Sequence, residues 1–230
     1  MPTVSKAMSL FWRELGREDL AKIHSLHVTA AKALGRAELV RADSEEFFAA
    51  ILAGNGRICG VADGHGLAGY GLLQWGHAPV AEIRAALGLP DTEPFALLGG
   101  ASVRPDLWGD GLHEGLIERR VILAREMGLS RLGTTSAPGN TRSWTNLMNQ
   151  GFAIRALIEV YGGHLRYVLY RETDKAATLD AGSLWCPLGD LASQRHFVRG
   201  GLSGSAWRRT AEGDYEIAWS RFRRNSVDSV

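Results

Sequence analysis

Cysteine is scarce in this sequence, and its placement excludes two classes of protein. The chain of 230 residues has two cysteines, Cys59 and Cys186, which lie far apart. They cannot form the dense disulfide framework of a small secreted domain, and they match no spacing of a zinc-binding motif. We therefore interpret both as buried thiols and predict no metal site.

A surplus of charge is also missing. The chain has 26 lysine and arginine residues against 25 aspartate and glutamate residues, which gives a formal net charge of +1. A dedicated nucleic-acid-binding protein needs a basic surplus to neutralise phosphates, so this class is disfavoured. Hydrophobic residues make up 45% and charged residues 22%, which is ordinary globular usage. The length predicts one domain, or one domain with an appendage.

Long apolar segments are absent as well. No run approaches the roughly 20 apolar residues that a membrane-spanning helix needs. The first six residues lack the apolar core of a signal peptide. We therefore expect a soluble, cytoplasmic protein that has no membrane partner.

What the sequence does contain is a pattern that can hold phosphate, between residues 95 and 152. An apolar strand pattern over residues 95–103 leads into the turn Gly109-Asp110-Gly111, and a helical pattern covers residues 112–127. The first turn of a helix has unpaired backbone N–H groups and partial positive charge, both of which favour an anion. Glycines let the backbone approach such a ligand closely.

Two common phosphate motifs do not fit this turn. A dinucleotide-binding fold needs Gly-x-Gly-x-x-Gly directly after its first strand, whereas this turn comes late and its third glycine is out of place. A P-loop needs Gly-Lys-Ser/Thr, but the sequence reads Gly111-Leu112-His113.

The rest of the chain reads as alternating strands and helices, which indicates a mixed α/β layout. Gly-rich turns near residues 64, 162 and 213 predict three hairpins. The predicted strands cover residues 9–14, 57–63, 67–74, 95–103, 131–135, 153–160, 165–171, 206–210 and 215–222. The predicted helices cover residues 17–34, 44–52, 80–87, 112–127 and 141–150.

The order of these features resembles the GNAT superfamily of acyl-CoA-dependent N-acyltransferases. The resemblance rests on Val103-x-Pro105, the Gly109-x-Gly111 turn, the helix and strand that follow, Asn140, and Gly151-Phe152. It covers roughly residues 8–172. It implies an α/β (α+β) fold: a mixed, mostly antiparallel central sheet, flanked by helices and splayed at the cofactor strand. A domain of residues 1–172 would bind acyl-CoA, and residues 173–230 would form an extension on the core or on a second subunit of a homodimer.

The resemblance also implies a cofactor site for acetyl-CoA or another acyl-CoA. The pantetheine arm would lie along Ala101, Ser102 and Val103, and the preceding Gly99-Gly100 pair suits a bulge. Asn140 would support the arm or cap the next helix, with Ser143 in that first turn. The phosphates would bind at the turn formed by Trp108, Gly109, Asp110, Gly111, Leu112 and His113.

Three positions depart from the family pattern. Trp108 replaces a polar or basic residue, and His113 replaces a small one; a protonated His113 could offset the charge of Asp110. Leu147 stands where the family has the tyrosine that protonates the leaving thiolate, and leucine cannot donate a proton.

The implied reaction is direct attack of a small-molecule amine on the thioester. Among the residues near the acceptor side, Glu159 and Tyr161 are the predicted catalytic residues, because the family's acceptor site adjoins their strand. Two alternatives stay open: a CoA-binding module without turnover, or a thioester hydrolase or decarboxylase on the same fold.

Overall fold

The computed structural model describes residues 10–36, 38–40, 43–175 and 182–221. Its strands are β1 (Phe11–Glu14), β2 (Gly56–Asp63), β3 (Gly66–Gln74), β4 (Phe95–Val103), β5 (Arg131–Ser136), β6 (Ala153–Val160), β7 (His164–Glu172), β8 (Leu184–Pro187), β9 (Leu202–Arg209) and β10 (Tyr215–Arg221). Its α-helices are α1 (Leu20–Leu34), α2 (Glu45–Ala50), α3 (Ala78–Ala86), α4 (Leu112–Glu126), α5 (Thr141–Asn149) and α6 (Leu191–Arg199). Ser9 and Phe222, at the ends of two predicted strands, lie outside the described residues.

All ten strands join one sheet in the order β1-β2-β3-β4-β5-β7-β6-β9-β10-β8. Only the pair β4–β5 is parallel among these described strands, and the other pairs are antiparallel. All three predicted hairpins, β2–β3, β6–β7 and β9–β10, form as expected. The mixed, mostly antiparallel sheet predicted from the sequence is therefore confirmed.

Strands β4 and β5 pair along only part of their length. Their register runs from Phe95↔Arg131 to Leu98↔Thr134 and stops there, although β4 continues to Val103 and β5 to Ser136. On its other side β4 stays paired with β3, where Gly71 faces Ala101 and Leu73 faces Leu98. One extra residue of β4 is thus accommodated at Gly99-Gly100, which confirms the predicted bulge. The splay and the bulge occur at the same point of the sheet.

Helices cover both faces of the sheet around this point. Tyr70 and Leu72 of β3 are buried in one cluster with residues of α1 and α2. The neighbouring Leu73 is buried in a different cluster with Ile117 and Val121 of α4. Because side chains alternate between the faces of a strand, β3 separates the two layers. None of the described helices is long and apolar enough to cross a membrane.

The C-terminal part of the chain extends the same sheet. Ile217 and Trp219 are fully buried in the main core cluster together with Ile154 and Tyr167. Strand β9 joins β6 through the pair Ile154↔Gly204. These strands pack against the preceding core, whereas the domain boundary after residue 172 and the homodimer stay predictions.

Two C-terminal elements, β8 and α6, were missed by the sequence analysis. Strand β8 has four residues and lies at the sheet edge, which gives too short an alternation to recognise. The buried face of α6 carries Gln194 where an apolar residue is expected, and its Oε1 accepts a hydrogen bond from Tyr167 Oη at 2.6 Å. The Asp190 side chain, which caps α6 by accepting from Ser193 N at 3.0 Å, was a usable signal.

Candidate functional site

A cleft of about 170 Å³ opens where β4 and β5 separate. Gly99 and Ala101 are partly exposed and Gly100 is exposed in this cleft, although β4 is a central strand of the ten-stranded sheet. Backbone that is accessible in the middle of a sheet can pair with an extended ligand. The cleft is therefore the leading candidate for a binding site among the described residues.

Side chains satisfy the carbonyl groups at the point of separation. Thr134 Oγ1 donates to the carbonyl of Leu98 at 2.8 Å, within the last β4–β5 pair. Arg120 Nη1 donates to the carbonyl of Gly99 at 3.1 Å. A buried carbonyl without a partner is costly, so these two bonds stabilise the splayed arrangement.

Arg120 is the most unusual of these residues, because it is only 2% exposed. Its guanidinium also donates to the carbonyls of Leu116 and Leu72. Burial lowers the pKa of Arg120 to about 10. A Cβ on Gly71 would lie 2.7 Å from Nε of Arg120, so this glycine makes room for it. The sequence signal was an arginine four residues after Leu116, on the apolar face of α4, and the sequence analysis overlooked it.

The glycine turn lies beyond one end of the cleft, at the start of α4. Gly109 and Gly111 have φ angles of 105° and 78°, and Gly111 is the N-cap of the 15-residue helix. A Cβ on Gly109 would meet no described atom within 4 Å, and one on Gly111 would meet only Oε2 of Glu114, at 4.0 Å. The space in front of this helix N-terminus is therefore open, as a phosphate site requires.

Trp108 replaces the polar or basic residue of the family pattern, but an arginine that lies over its ring supplies a positive charge at the turn. Its Nε1 donates to the carbonyl of Val103 at 2.8 Å, which anchors the indole against the end of β4. The guanidinium carbon of Arg142, in the first turn of α5, lies 5.6 Å from the centre of the Trp108 ring. Sequence reasoning missed Arg142, because it comes from a different helix.

His113 is neutral in this structure, which corrects the idea that it could carry positive charge. Burial and the positive charges of Arg120 and Arg142 lower the pKa of His113 to about 4. Asn146 Nδ2 donates to His113 Nδ1, with 3.0 Å between the two atoms, so the ring proton lies on Nε2. His113 lines the cleft and can donate a hydrogen bond, but it cannot offset the charge of Asp110 at neutral pH.

The structure brings six of the predicted site residues to the cleft: Ala101, Ser102, His113, Asn140, Ser143 and Tyr161. Asn140 Oδ1 accepts from the backbone N–H of Ser143 at 3.3 Å, so its N-cap role is confirmed. Leu147 also lines the cleft and is 4% exposed. Tyr161 Oη lies 3.2 Å from Thr135 Oγ1 on β5.

The other predicted residues lie elsewhere. Glu159 is exposed and is not among the described residues that line the cleft, so the structure does not bring it to the site. The side chains of Val103 and Leu112 are buried in a core cluster, which leaves only their backbone groups for a ligand. Trp108, Gly109, Asp110 and Gly111 form the turn beyond the cleft.

The wall of the cleft opposite α4 carries residues that sequence reasoning did not select. Asp43, between α1 and α2, is half-buried and lines the cleft, as do His27 and Arg166. A Cβ on Gly100 would lie 3.8 Å from Oδ2 of Asp43, so this carboxylate lies beside the bulge. No local pattern marks Asp43, because the fold alone places it near β4.

Comparison with solved structures identifies the fold. The chain superposes on the ribosomal-protein-S18-alanine N-acetyltransferase from Escherichia coli with a TM-score of 0.54 and 16% identity, covering 73% of this chain and 96% of that one. The spermidine N-acetyltransferase from Vibrio cholerae, solved with CoA and spermine, gives a TM-score of 0.53 and 19% identity, covering 72% and 96%. An acetyltransferase of the GNAT family from Streptococcus pneumoniae gives 0.53 and 17%, covering 71% and 99%. No protein-family model and no curated protein sequence matches the chain. The chain therefore has the GNAT fold.

Proposed function

We propose that this protein, which has the fold of the GNAT acetyltransferases, transfers an acyl group, most simply acetyl, from CoA to the amine of a small molecule. The observation that carries the proposal is the cleft between β4 and β5. It exposes the backbone of Gly99, Gly100 and Ala101 at a bulge and continues toward an open helix N-terminus. This geometry matches an extended ligand that carries phosphate at one end.

The residues at the turn fit the phosphates of an acyl-CoA. The open space at Gly109 and Gly111 lets phosphate oxygens approach the backbone N–H groups of the first turn of α4. Arg142 adds a positive charge from α5 beside Trp108, at the start of the turn that contains the exposed Asp110. The arm that follows would lie along Ala101, Ser102 and Val103, with Asn140 and Ser143 on the other side.

The reaction needs orientation more than proton transfer from the protein. When bound, acyl-CoA supplies a thioester whose carbonyl carbon the amine can attack. The bulge and the hydrogen bonds from Thr134 and Arg120 fix the strand along which this carbonyl would be held. Leu147 cannot protonate the leaving sulfur, but a thiolate is a fair leaving group because a free thiol has a pKa near ~8.5. Tyr161, whose hydroxyl contacts Thr135, is the predicted catalytic residue that we retain.

The second candidate is a CoA-binding module without turnover. Leu147 is the observation that favours it, because a buried leucine occupies the position of the family's proton donor. Two measurements separate the candidates: the thermal shift with millimolar acetyl-CoA, and thiol release over a panel of primary amines.

We expect both a thermal shift and amine-dependent thiol release. A shift without thiol release would identify the binding module, and thiol release without any amine would identify a hydrolase. Mass analysis of the products shows whether the amine has gained the acyl group. No shift with folded protein would contradict the proposal.

A further inference from the structure

Arg166 is a buried cation on the wall of the cleft opposite α4. It lies near the start of β7, is 8% exposed and lines the cleft. Its Nη1 donates to the carbonyl of Leu165, and its Nη2 donates to the carbonyl of Glu38, both at 2.9 Å. These bonds use two of the five N–H donors of a guanidinium, and the others have no acceptor among the described residues.

The positive charge of Arg166 also has no carboxylate partner in the described part of the chain. Arg104, by contrast, donates to both carboxylate oxygens of Asp63. Burial lowers the pKa of Arg166, and the hydroxyl of Tyr161 opposes this effect only in part. A buried cation without a counter-ion costs free energy, and an anionic ligand would offset that cost.

Arg166 lies on the face of the sheet opposite the glycine turn and α4. The next residue, Tyr167, is buried in the core cluster that contains Ile117 of α4. Because side chains alternate along a strand, Arg166 is on the other face, where Nη2 joins it to Glu38 in the segment after α1. An anion that reaches Arg166 is therefore not one held at the start of α4. Under the proposed function it belongs to the acceptor.

Gln74 adds a second polar group on the same face, beside the bulge. It follows Leu73, which packs in the core cluster with α4, so its side chain is on the side of Arg166. Gln74 is 3% exposed and lines the cleft. A Cβ on Gly99 would collide with Nε2 of Gln74, so the amide lies over the bulge. The cleft thus has an amide at the bulge of β4 and a cation on β7, across β5.

The lining next to Arg166 also contains apolar side chains. Leu39 and Val40 follow Glu38 in the chain, and both line the cleft. A molecule that has a carboxylate, an amine and an apolar side chain matches this combination of cation, amide and apolar wall.

We propose that Arg166 binds the carboxylate of the acceptor, which is an amino acid with an apolar side chain; this rests on the proposed acyl transfer. The remaining N–H donors of the guanidinium form charge-assisted hydrogen bonds with the two carboxylate oxygens. The amine of the same molecule is directed toward the bulge, where Oε1 of Gln74 accepts a hydrogen bond from it. Arg166 neither gives nor takes a proton, and it determines which amines are acceptors.

The test uses three probes, leucine, leucinamide and 3-methylbutylamine, which share an amine and a branched apolar group but differ in the carboxylate. Each is assayed for thiol release with acetyl-CoA in the wild type, Arg166→Gln, Arg166→Lys and Arg171→Gln. Arg171 is the matched control, because it lies on the same strand, donates to the carbonyls of Gln150 and Glu172, and is outside the described lining of the cleft. The ratio of kcat/KM for leucine to that for leucinamide is compared between variants, so the intrinsic reactivity of each amine cancels.

We expect the wild type to prefer leucine over the other two probes by roughly 10- to 100-fold, the range for hydrogen bonds to a charged group. Arg166→Gln should reduce this preference to about threefold or less, Arg166→Lys should retain part of it, and Arg171→Gln should match the wild type. A purely structural arginine would affect leucine and leucinamide by the same factor, and a preference that survives in Arg166→Gln would overturn the assignment. Equal use of leucine and leucinamide by the wild type would also overturn it, and this comparison needs no variant.

Calorimetric titration of leucine onto the CoA-loaded protein separates failure of this assignment from failure of the proposed function. If the wild type releases no thiol with any probe, acyl transfer to these amines is contradicted. Leucine binding that is lost in Arg166→Gln and kept in Arg171→Gln would then still support the carboxylate site, whereas no leucine binding by the wild type would overturn it.

A last arm tests the other source of a carboxylate, the acyl group. The wild type and Arg166→Gln are assayed with succinyl-CoA and acetyl-CoA, with 3-methylbutylamine as the acceptor. We expect no preference for succinyl-CoA in either protein. A preference of the wild type for succinyl-CoA that disappears in Arg166→Gln would place the carboxylate on the acyl group and overturn its assignment to the acceptor.

Discussion

Nη1 of Arg120 donates to the carbonyl of Gly99 at 3.1 Å, from a helix on one face of the sheet to the bulge of the central strand. The same nitrogen also donates to the carbonyl of Leu72 at 3.2 Å on the neighbouring strand. A single buried guanidinium therefore joins β3 and β4 where β4 leaves β5. This contact connects the packing of α4 with the shape of the proposed acyl-CoA site.

Replacement of Arg120 by Met should reduce the free energy of acetyl-CoA binding more than it reduces the free energy of unfolding. The carbonyls of Gly99 and Leu72 lose a donor, which costs about 1–3 kcal/mol for each group left unsatisfied. Removal of a buried charge offsets part of this cost. The measurement is urea unfolding with and without acetyl-CoA. Arg119→Met, next on the helix and exposed over Trp12, is the control and should keep the full ligand effect.

Replacement of Gly111 by Val should abolish the thermal shift with acetyl-CoA. A valine at a φ of 78° is strained, and its branched side chain occupies the open space before α4. Gly128→Val is the matched control, because Gly128 follows the same helix with a φ of 72° and no described atom near its Cβ position. Gly128→Val should lower the melting temperature about as much as Gly111→Val does, but it should keep the thermal shift with acetyl-CoA. Equal shifts in both variants would place the phosphates elsewhere.

Replacement of Leu147 by Tyr tests whether proton delivery limits the reaction. Leu147 is 4% exposed in the main core, so the larger ring should destabilise the fold by about 1–3 kcal/mol. We expect no gain in kcat, measured as thiol release. Leu147→Phe adds nearly the same volume without a hydroxyl and is the control. A gain of roughly 100-fold in the Tyr variant alone would favour the CoA-binding module as the natural state.

The ion pair between Asp63 and Arg104 should make stability depend on pH. Arg104 donates to both carboxylate oxygens of Asp63, at 3.1 and 2.6 Å, and lowers the pKa of Asp63 to about 2. An unfolded aspartate has a pKa near ~3.9, so the contribution is present above that pH and is lost as pH falls toward 2.

We expect Asp63→Asn to lose about 1–2 kcal/mol at pH 7, with solvent screening included, and the difference from the wild type to shrink at pH 2.5. Urea unfolding at both pH values measures it. Asp106→Asn is the control, because Asp106 binds the same arginine but its side chain is 62% exposed. A destabilisation of Asp63→Asn that is equal at both pH values would contradict the ion pair as its cause.

The sequence by itself determined most elements up to residue 172 and the position of the glycine turn, Gly109-Asp110-Gly111, before α4. Local signals decide these features: period-two and helical apolar patterns, Gly-rich turns, and Asn140 as a helix cap. Even the bulge was predictable, because the adjacent Gly99 and Gly100 are unusual in a central strand. Strand β8 and helix α6 were missed, since one is short and the other buries Gln194 on its packed face.

The tertiary structure alone decided which side chains meet at the cleft. Asp43 lies beside Gly100, and Arg142 lies over Trp108, although the two residues of each pair are distant in the chain. Burial, which no local pattern in the sequence indicates, lowers the pKa of His113 and keeps it neutral. Glu159 is exposed outside the cleft, although Tyr161, two residues later, lines the cleft. A charge or a catalytic group acts through space, so its partners become known only when the sheet brings distant segments together.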